Sequence, residues 1–428
     1  MNAVIKPSKN LRGTITVPGD KSISHRSVML GSIADGDTKV SGFLTGEDCL
    51  STIDCFKKLG IDIEVDGTNV IVHGKGLRGL SAPTETLNVG NSGTTLRLMS
   101  GLLSAQPFAS HITGDSSIQK RPMGRVATPL GLMGAKIKSE NEKMTAPLTI
   151  EGTKLNGIDY TIPVASAQVK SALILAGLYA EGETRITEPE ATRDHTEIML
   201  NYLGADIKKE GNTIIVTPVN ELKGKDISVP GDISSAAYFI AAALITEGSD
   251  VIIENVGINP TRTGIITAFN QMGADIELLN ERTVCGEPVA DIHAKTSRLH
   301  GTTIKGDIIP KLIDEIPVIA AAACFAEGKT IIADAQELKV KESDRIKTMA
   351  CELRRMGADI TETDDGMIIM GGNKLNGAVC ESYNDHRVAM SIAVAALGAE
   401  GDTEIKNPEC ADISFPGYYD LLLSLTED

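Results

Sequence analysis

The residues of this chain that are best suited to chemistry begin at residue 18, in the stretch Pro-Gly-Asp-Lys-Ser-Ile-Ser-His-Arg. A Pro-Gly turn leads there into Lys21, Ser22 and Arg26, and an apolar run follows. Two cations and several hydroxyl groups at a helix start make an anion site, because the unpaired N–H groups and the helix dipole already attract negative charge. A capped helix start with solvated basic residues is the plainer alternative.

Comparable polar clusters recur at predicted helix starts and in the loops that lead into second helices. The starts hold Asn91, Ser92, Gly93, Thr94 and Thr95; Ser166, Gln168 and Lys170; Asp314 and Glu315; and Asn384, Asp385, His386 and Arg387. The loops hold Arg121, Arg125, Arg193, Arg262 and the run Lys341, Glu342, Ser343, Asp344 and Arg345. The chain has a net charge of −16, so at least ten cations gathered at positive helix ends predict an anionic ligand with more than one phosphate or carboxylate.

Each cluster also has a plainer interpretation. The sequence GNSGTT at 90–95 resembles a phosphate-binding glycine loop, but it lacks the Gly-x4-Gly-Lys-Ser/Thr pattern and is also typical of a capped helix. The run at 341–345 fits a solvated helix start in which a Glu/Arg pair contributes little. Asp314 and Glu315 form the acidic pair that first helical turns prefer. The scattered His and Cys residues predict no metal site.

The elements that must position these residues are repeated. A helix closed by Gly and followed by a strand recurs as KLGIDI at 58–63, LMGAKI at 132–137, YLGADI at 202–207, QMGADI at 271–276 and RMGADI at 355–360. The glycine is expected in the left-handed C′ position. An Ala-rich helix, followed by a turn and a short strand, recurs six times, and its uniformly apolar sequence predicts burial on all sides.

The repeating unit is therefore βαβαββ, roughly 70 residues long and present six times. Three units in each half predict two pseudo-symmetric α/β domains, residues 14–228 and residues 1–13 plus 229–428, with the active site in the cleft between them. The similar starts PGDKSIS at 18 and PGDISSA at 230 favour this division. The last copy has no hairpin, and residues 3–17 are expected to supply its missing strands.

Composition limits the class of protein. Hydrophobic residues make up 42% and charged residues 23%, whereas aromatics are only 3% and glycines number 42, so the cores should be aliphatic and closely packed. The acidic balance argues against nucleic acid or an anionic membrane as partner. Seven cysteines, none spaced as Cys-x-x-Cys, are expected as reduced core thiols. No apolar signal segment or long apolar stretch is present, which predicts a cytoplasmic protein.

Taken together and in order, the motifs resemble those of the EPSP synthases, the 3-phosphoshikimate 1-carboxyvinyltransferase family. They are PGDKSISHR at 18–26, GNSGTT at 90–95, QKRPM at 119–123, SAQVKSA at 166–172, TRDHTE at 192–197, NPTRTG at 259–264, IDEIP at 313–317, KESDR at 341–345 and NDHR at 384–387. The resemblance covers essentially the whole chain, and TRDHTE and IDEIP resemble the class II bacterial branch. It implies the enolpyruvyl transferase fold, two inside-out α/β barrels of three repeats each.

The resemblance also implies roles for individual residues. Shikimate 3-phosphate would be held by Lys21, Ser22, Arg26, Ser166, Gln168, Arg193, Asp314 and Lys341. Phosphoenolpyruvate would be held by Lys21, Gly93, Arg121, Gln168, Glu342, Arg345, His386 and Arg387, in the pocket where the family also binds glyphosate. The chain departs from the family pattern at Ala167, where some members have a second Ser, and at Ile413, where class I members have Lys.

The family's reaction adds the shikimate 5-hydroxyl to C2 of phosphoenolpyruvate while C3 is protonated. The tetrahedral intermediate then loses phosphate to give an enol ether. These steps require a base, an acid and cations for the phosphates and carboxylates. Asp314 is the candidate base, Glu342 the candidate acid, and Lys21 is placed to share either role. Gly93 stands where tolerant relatives have Ala, which predicts inhibition by glyphosate.

Three other functions are weighed against this one. A UDP-N-acetylglucosamine enolpyruvyl transferase shares the fold and the donor, but that family has Lys-Asn where this chain has Lys21 and Ser22, and usually a reactive Cys in the Arg-Pro loop. An RNA 3′-phosphate cyclase is disfavoured by the acidic charge. A catalytically silent anion-binding protein of the same fold is disfavoured by the joint presence of Lys21, Asp314 and Glu342. No cofactor, no metal and no macromolecular partner are expected, and the chain is expected to be a monomer.

Overall fold

The structure, a computed structural model, describes residues 2–426. The chain forms two compact units, which we call the first unit and the second unit. The first unit contains Gly19–Val229 and the short segment Val284–Glu287. The second unit contains the chain up to Pro18, Pro230–Thr283 and the chain from Pro288 onward. The prediction of an active site in a cleft between two domains stays a prediction.

Helices and strands alternate along the described chain. The helices are α1 (Lys21–Ile33), α2 (Glu47–Lys58), α3 (Gly93–Leu103), α4 (Gly124–Leu132), α5 (Ala167–Gly177), α6 (His195–Tyr202), α7 (Ile233–Ile245), α8 (Gly264–Gln271), α9 (Ile309–Leu312), α10 (Ile316–Ala323), α11 (Arg345–Arg355), α12 (His386–Leu397) and α13 (Tyr418–Ser424). The strands are β1 (Asn2–Ile5), β2 (Arg12–Thr16), β3 (Asp35–Ser41), β4 (Asp62–Asp66), β5 (Asn69–Lys75), β6 (Leu87–Asn88), β7 (Ala109–Thr113), β8 (Lys136–Ser139), β9 (Leu148–Glu151), β10 (Asp159–Thr161), β11 (Thr184–Thr187), β12 (Ile207–Glu210), β13 (Thr213–Val216), β14 (Ile227–Ser228), β15 (Asp250–Gly257), β16 (Asp275–Val284), β17 (Glu287–Lys295), β18 (Thr303–Ile304), β19 (Gly328–Ile332), β20 (Asp359–Glu362), β21 (Met367–Gly371), β22 (Val379–Glu381) and β23 (Thr403–Lys406).

The predicted repeat of βαβαββ units is confirmed. The glycines that close the outer helices are all left-handed, with φ between 86° and 104°; they are Gly60, Gly134, Gly204, Gly273 and Gly357. Each lets the chain turn directly from a helix into a strand, which a side chain at that φ would disfavour. The predicted hairpins are also present, since β4 pairs antiparallel with β5, β12 with β13 and β20 with β21.

Each repeat contributes one small sheet. The first unit has the strand orders β14-β3-β5-β4, β6-β7-β9-β8 and β10-β11-β13-β12. The second unit has the orders β16-β17-β15-β2, β18-β19-β21-β20 and β1-β23-β22. In the sheet of the third repeat, for example, β10 runs parallel to β11, and β13 runs antiparallel to both β11 and β12. The parallel pair carries a helix crossover, and the hairpin completes the sheet.

The expectation for residues 3–17 is right for one strand and wrong for the other. β1 pairs antiparallel with β23, with Ala3 opposite Ile405, and so extends the sheet of the last repeat. β2 pairs instead in parallel with β15, with Ile15 opposite Ile253. The fourth repeat needs a first strand parallel to β15. The strand that precedes this repeat in the chain, β14, pairs with β3 in the first unit, and β2 takes its place. The sheet of the last repeat therefore has three described strands.

The Ala-rich helices form the centre of each unit, as predicted. α3 packs on α1 and α5 in the first unit, and α7, α10 and α12 pack together in the second. All eight residues of α10 are buried, and so are residues 233–244 of α7. The packing is close enough to require glycine, because a Cβ on Gly101 of α3 would lie 2.1 Å from the carbonyl oxygen of Ala172 in α5. The starts of these central helices carry the predicted site residues.

Candidate active site

The start of α1 brings a lysine and a carboxylate together in the first unit. Asp20 caps the helix by accepting the N–H of Ile23 at 2.9 Å. Lys21 Nζ lies 2.5 Å from Asp48 Oδ2, and the two side chains are 26% and 12% exposed. Lys21 therefore has both a counter-ion and access to solvent. This is the environment in which a lysine can contact a bound anion and exchange a proton with it.

Arg26 lies one turn further into α1 and is buried. Its Nε donates to Thr196 Oγ1 at 2.7 Å, its Nη2 to Ser171 Oγ at 3.0 Å and its Nη1 to the carbonyl oxygen of Ser22 at 2.9 Å. Burial lowers the pKa of Arg26 to about 10, so the guanidinium keeps its charge at neutral pH. Because these acceptors are uncharged oxygens, they orient the guanidinium without cancelling its charge.

Gly93 is the first residue of α3, and two guanidinium groups lie over it. A Cβ at Gly93 would lie 3.1 Å from Nη1 of Arg121 and 3.1 Å from Nη1 of Arg97. Arg121 is held by Asn91, whose Oδ1 accepts from Nη2 at 3.0 Å. The absence of a side chain at Gly93 thus leaves the helix N-terminus open to an anion that both arginines face.

Gln168 is tied to the same part of the first unit. Its Oε1 accepts a short hydrogen bond from Arg97 Nη1, and its Nε2 donates to Thr94 Oγ1 at 3.1 Å. The structure therefore brings the predicted residues Gly93, Arg121 and Gln168 into one network. Arg97 was not predicted, although a lone basic residue in the otherwise apolar helix GTTLRLMSGLL is a signal that could have identified it.

Ser166 and Arg193 flank a buried ion pair. Ser166 caps α5 by accepting the N–H of Val169 at 3.4 Å. Lys170, in the first turn of α5, is fully buried and lies 3.0 Å from Glu188 and 2.8 Å from Glu197. Lys170 Nζ also donates to the carbonyl oxygen of Thr192 at 3.2 Å, directly before Arg193.

Burial is the main reason why the pKa of Arg26 is lowered, and Glu197 and Asp20 oppose this effect. The positive charge of Arg193 is close enough to lower the pKa of Arg26 further. The predicted shikimate 3-phosphate residues of the first unit therefore surround the starts of α1 and α5. Lys170 was named in the sequence only as a polar residue at a helix start. Its two carboxylate partners were not foreseen.

Arg345 is the centre of the charged cluster in the second unit. It is 1% exposed at its side chain and contacts three carboxylates. Its Nε lies 2.9 Å from Asp385 Oδ2, its Nη2 2.5 Å from Glu342 Oε2, and its Nη1 3.5 Å from Asp314 Oδ1. Burial opposes its protonation, but Asp385 and Glu342 outweigh burial and raise the pKa of Arg345. The interpretation of residues 341–345 as a solvated helix start is wrong for Arg345, which is buried, whereas Glu342 is exposed.

Asp314 is shared by three cations. Lys341 Nζ lies 3.3 Å from Asp314 Oδ1. Lys341 belongs to the same run of residues as Arg345, whose Nη1 also contacts this oxygen. Arg387 Nη1 donates to the carbonyl oxygen of Asp314 at 3.0 Å. Burial opposes the charge of Arg387, but Asp314 and neighbouring groups raise the pKa of Arg387 well above its ordinary value. The carboxylate of Asp314 is 13% exposed, so it can reach a ligand.

His386 begins α12, which Asp385 caps by accepting the N–H of Arg387 at 3.0 Å. His386 is 6% exposed. Burial, followed by the positive charge of Arg387, lowers the pKa of His386 to about 3, so the imidazole is neutral at physiological pH. A neutral imidazole at a helix N-terminus donates or accepts hydrogen bonds without adding charge.

The second unit thus brings Asp314, Lys341, Glu342, Arg345, His386 and Arg387 together. The capped-helix interpretation of residues 90–95 is compatible with a site, since Ser92 does cap α3 by accepting from Thr95. Asp48 was missed, because an acidic residue in the first turn of an outer helix is ordinary and gives no signal of its partner. Among residues 2–426, no cluster of His, Cys, Asp or Glu has the geometry of a metal site.

None of the helices described between residues 2 and 426 is long and apolar enough to cross a membrane. The seven cysteines are unbridged, and all but Cys285 and Cys351 are buried.

Solved structures first define the class to which this fold and site belong. An EPSP synthase from Acinetobacter baumannii superposes with a TM-score of 0.91 and 51% identity, covering 99% of this chain and 98% of that one. The class that this fold defines is therefore that of the EPSP synthases.

The chain belongs to the EPSP synthase (3-phosphoshikimate 1-carboxyvinyltransferase) family, whose model matches residues 5–422. Relatives named 3-phosphoshikimate 1-carboxyvinyltransferase include one from Thermoanaerobacter sp. (strain X514), 58% identical over 98% of this chain and 99% of the relative. Another, from Brevibacillus brevis, is 56% identical over 99% of both chains. The predicted family and fold are confirmed.

Proposed function

We propose that the chain transfers the 1-carboxyvinyl group of phosphoenolpyruvate to the 5-hydroxyl of shikimate 3-phosphate and releases phosphate. The observation that carries the proposal is the family match over residues 5–422. The relatives compared carry the shikimate name, so the sugar-nucleotide acceptor and the silent binding protein are not favoured.

The arrangement of the first unit supports binding of shikimate 3-phosphate. Arg26 offers a buried, oriented charge, and Ser22, Ser166 and Gln168 lie in the first turns or caps of α1 and α5. Arg193 adds a second guanidinium near Arg26. A phosphate at these helix starts is stabilised by N–H groups and by cations together. We assign Lys21, Ser22, Arg26, Ser166, Gln168, Arg193, Asp314 and Lys341 to this substrate.

The arrangement of the cations supports binding of phosphoenolpyruvate. Arg121 lies over the open helix start at Gly93, and in the second unit Arg345 and Arg387 are buried among carboxylates that a substrate anion can replace as partners. Planar guanidinium groups match the geometry of both carboxylate and phosphate. We assign Lys21, Gly93, Arg121, Gln168, Glu342, Arg345, His386 and Arg387 to this substrate.

Two carboxylates of the second unit are our candidates for the acid and the base. Glu342 Oε2 lies 2.5 Å from Nη2 of Arg345. Glu342 protonates C3 while Asp314, 3.3 Å from Lys341, accepts the proton of the 5-hydroxyl; in the elimination that follows, Glu342 takes a proton back from the C3 methyl group as phosphate leaves. We propose that Lys21, which pairs with Asp48 in the first unit, shares one of these two transfers.

The test measures phosphate release from phosphoenolpyruvate with shikimate 3-phosphate or UDP-N-acetylglucosamine as acceptor, with and without glyphosate. We expect phosphate release with shikimate 3-phosphate but not with UDP-N-acetylglucosamine, and we expect glyphosate to inhibit it. Replacing Asp314 by Asn should slow turnover by about 100-fold or more, the usual contribution of a general base. Asp307→Asn, an exposed acid in the same unit, is the matched control and should remain within about twofold. Release with the sugar nucleotide would contradict the acceptor.

A further inference from the structure

The backbone directly before α12 is held in a conformation that its residues do not favour. Tyr383 and Asn384 both have positive φ, 56° and 54°. Asn adopts the left-handed region readily, but for a bulky side chain such as Tyr it is an outlier. Such a conformation persists only where the surrounding structure enforces it, and it is found most often near functional sites. Contacts around Tyr383 must therefore enforce its positive φ.

Glu352, in the middle of α11, holds it. The side chain of Glu352 is fully buried, and its Oε1 accepts the hydroxyl of Tyr383 at 2.7 Å. Its Oε2 accepts the backbone N–H of Glu381 at 3.0 Å and lies 3.0 Å from Nη1 of Arg355. Burial and the bond to Glu352 raise the pKa of Tyr383, so its hydroxyl stays a donor. Both carboxylate oxygens are therefore used to fix residues 381–383.

The start of α11 contacts the same loop at a second place. Arg345 and Ser343 both donate to Asp385 Oδ2, each at 2.9 Å. Arg345 and Glu352 are seven residues apart on one helix, which is about 10 Å along its axis. α11 thus fixes the loop at both ends of the strained pair, and α12 begins directly afterwards with His386 and Arg387.

We propose that Glu352 and Tyr383 are positioning residues for phosphoenolpyruvate: they hold residues 381–384 in the left-handed turn that presents His386 and Arg387 to that substrate. This inference rests on the proposed function. Neither residue is assigned to contact a substrate. Tyr383 is 41% exposed as a whole and its hydroxyl is bonded to Glu352, so the residue is not a core element.

The proposal is tested with Tyr383→Phe, which removes one oxygen and leaves the ring. The KM for phosphoenolpyruvate should rise about five- to tenfold, since the turn loses a hydrogen bond to a charged group. The KM for shikimate 3-phosphate should stay within about twofold, because most of its assigned residues lie in the first unit. Tyr418→Phe is the matched control: it removes another hydroxyl of the second unit, one bonded to the carbonyl oxygen of Met390 at 3.2 Å, and should change neither KM.

A second pair of variants separates positioning from simple stabilisation. Glycine adopts a positive φ without strain, so Tyr383→Gly should bind phosphoenolpyruvate more tightly than Tyr383→Ala, although both lack the hydroxyl. Melting temperatures are recorded for every variant, and Glu352→Gln is included because Gln keeps the volume and one acceptor oxygen. It should reproduce the KM split of Tyr383→Phe if it folds.

The outcomes are distinct. Wild-type protein without turnover would contradict the proposed function itself. Active wild-type protein together with a Tyr383→Phe variant whose two KM values are unchanged, or rise equally, would overturn the positioning role. A lower KM for phosphoenolpyruvate in Tyr383→Ala than in Tyr383→Gly would overturn it as well.

Discussion

A methyl group added at Gly93 perturbs the proposed phosphoenolpyruvate site without touching a charged residue. Gly93 begins α3 with helical geometry, so Gly93→Ala adds no backbone strain. The new Cβ would lie 3.1 Å from the terminal nitrogens of both Arg121 and Arg97, closer than side chains normally pack. Because these are the ends of flexible side chains, the protein should fold, and the two guanidinium groups should move by a few tenths of an ångström.

The cost follows from what Arg121 does. Its guanidinium is fixed by Asn91 at 3.0 Å, and a shift spoils the alignment of its charge-assisted hydrogen bonds with the substrate. Weakening one such bond costs about 1–2 kcal/mol, which corresponds to an increase of roughly 5- to 30-fold in the KM for phosphoenolpyruvate. Glyphosate, which we expect to bind in the same pocket, should lose inhibition in parallel.

The assay is steady-state phosphate release at varied phosphoenolpyruvate, with saturating shikimate 3-phosphate and a titration of glyphosate. Gly131→Ala is the matched control, because Gly131 lies in α4 of the same unit and a Cβ there meets nothing within 4 Å. The control should keep wild-type kinetics. An unchanged KM for phosphoenolpyruvate and unchanged inhibition in Gly93→Ala would refute the assignment of Gly93.

Two further predictions concern buried charges of the first unit. Replacing Lys170 by Met leaves Glu188 and Glu197 buried without their cation and should lower the free energy of unfolding by about 3–5 kcal/mol. Lys208→Met, at an exposed pair, should cost less than about 1 kcal/mol in the same denaturant titration, and equal losses would contradict the buried pair's importance. Burial lowers the pKa of His25 to about 3, so the native state binds fewer protons than the unfolded state between that value and about 6.5. Stability should therefore fall as the pH falls, by about 2 kcal/mol from pH 7 to 5 through His25 alone, and His25→Gln should lose that part of the slope; parallel pH profiles would show the reasoning to be wrong.

The parts of the fold that depend on local sequence were predictable. The Leu-Gly and Met-Gly pairs predicted left-handed glycines and turns from helix to strand, because a positive φ depends mainly on the glycine itself. The uniform burial of α10 and α7 followed from their composition in the same way. The place of β2 was predicted wrongly, since pairing with β15 joins residues more than 230 positions apart and no local pattern specifies such a partner.

The candidate site shows the same difference between local features and long-range contacts. Lys21, Arg121, Asp314 and Arg345 were recognisable because cations and acids at helix starts have a chemical meaning in the sequence itself. Asp48, which pairs with Lys21, and Glu352, which accepts from Tyr383, lie on the outer helices α2 and α11 and resemble their ordinary surface residues, and Glu188, a partner of Lys170, lies in the loop after β11. Their function depends on contacts between distant segments, which become visible only in three dimensions.

The identity of the product tests the central claim most directly. Shikimate 3-phosphate is incubated with phosphoenolpyruvate and the wild-type chain, and the acceptor is analysed by mass spectrometry while phosphate is quantified. We predict one acceptor molecule carrying a carboxyvinyl group in place of a hydrogen for each phosphate released. Phosphate release with an unmodified acceptor, or no release by a folded protein, would contradict the proposed transfer.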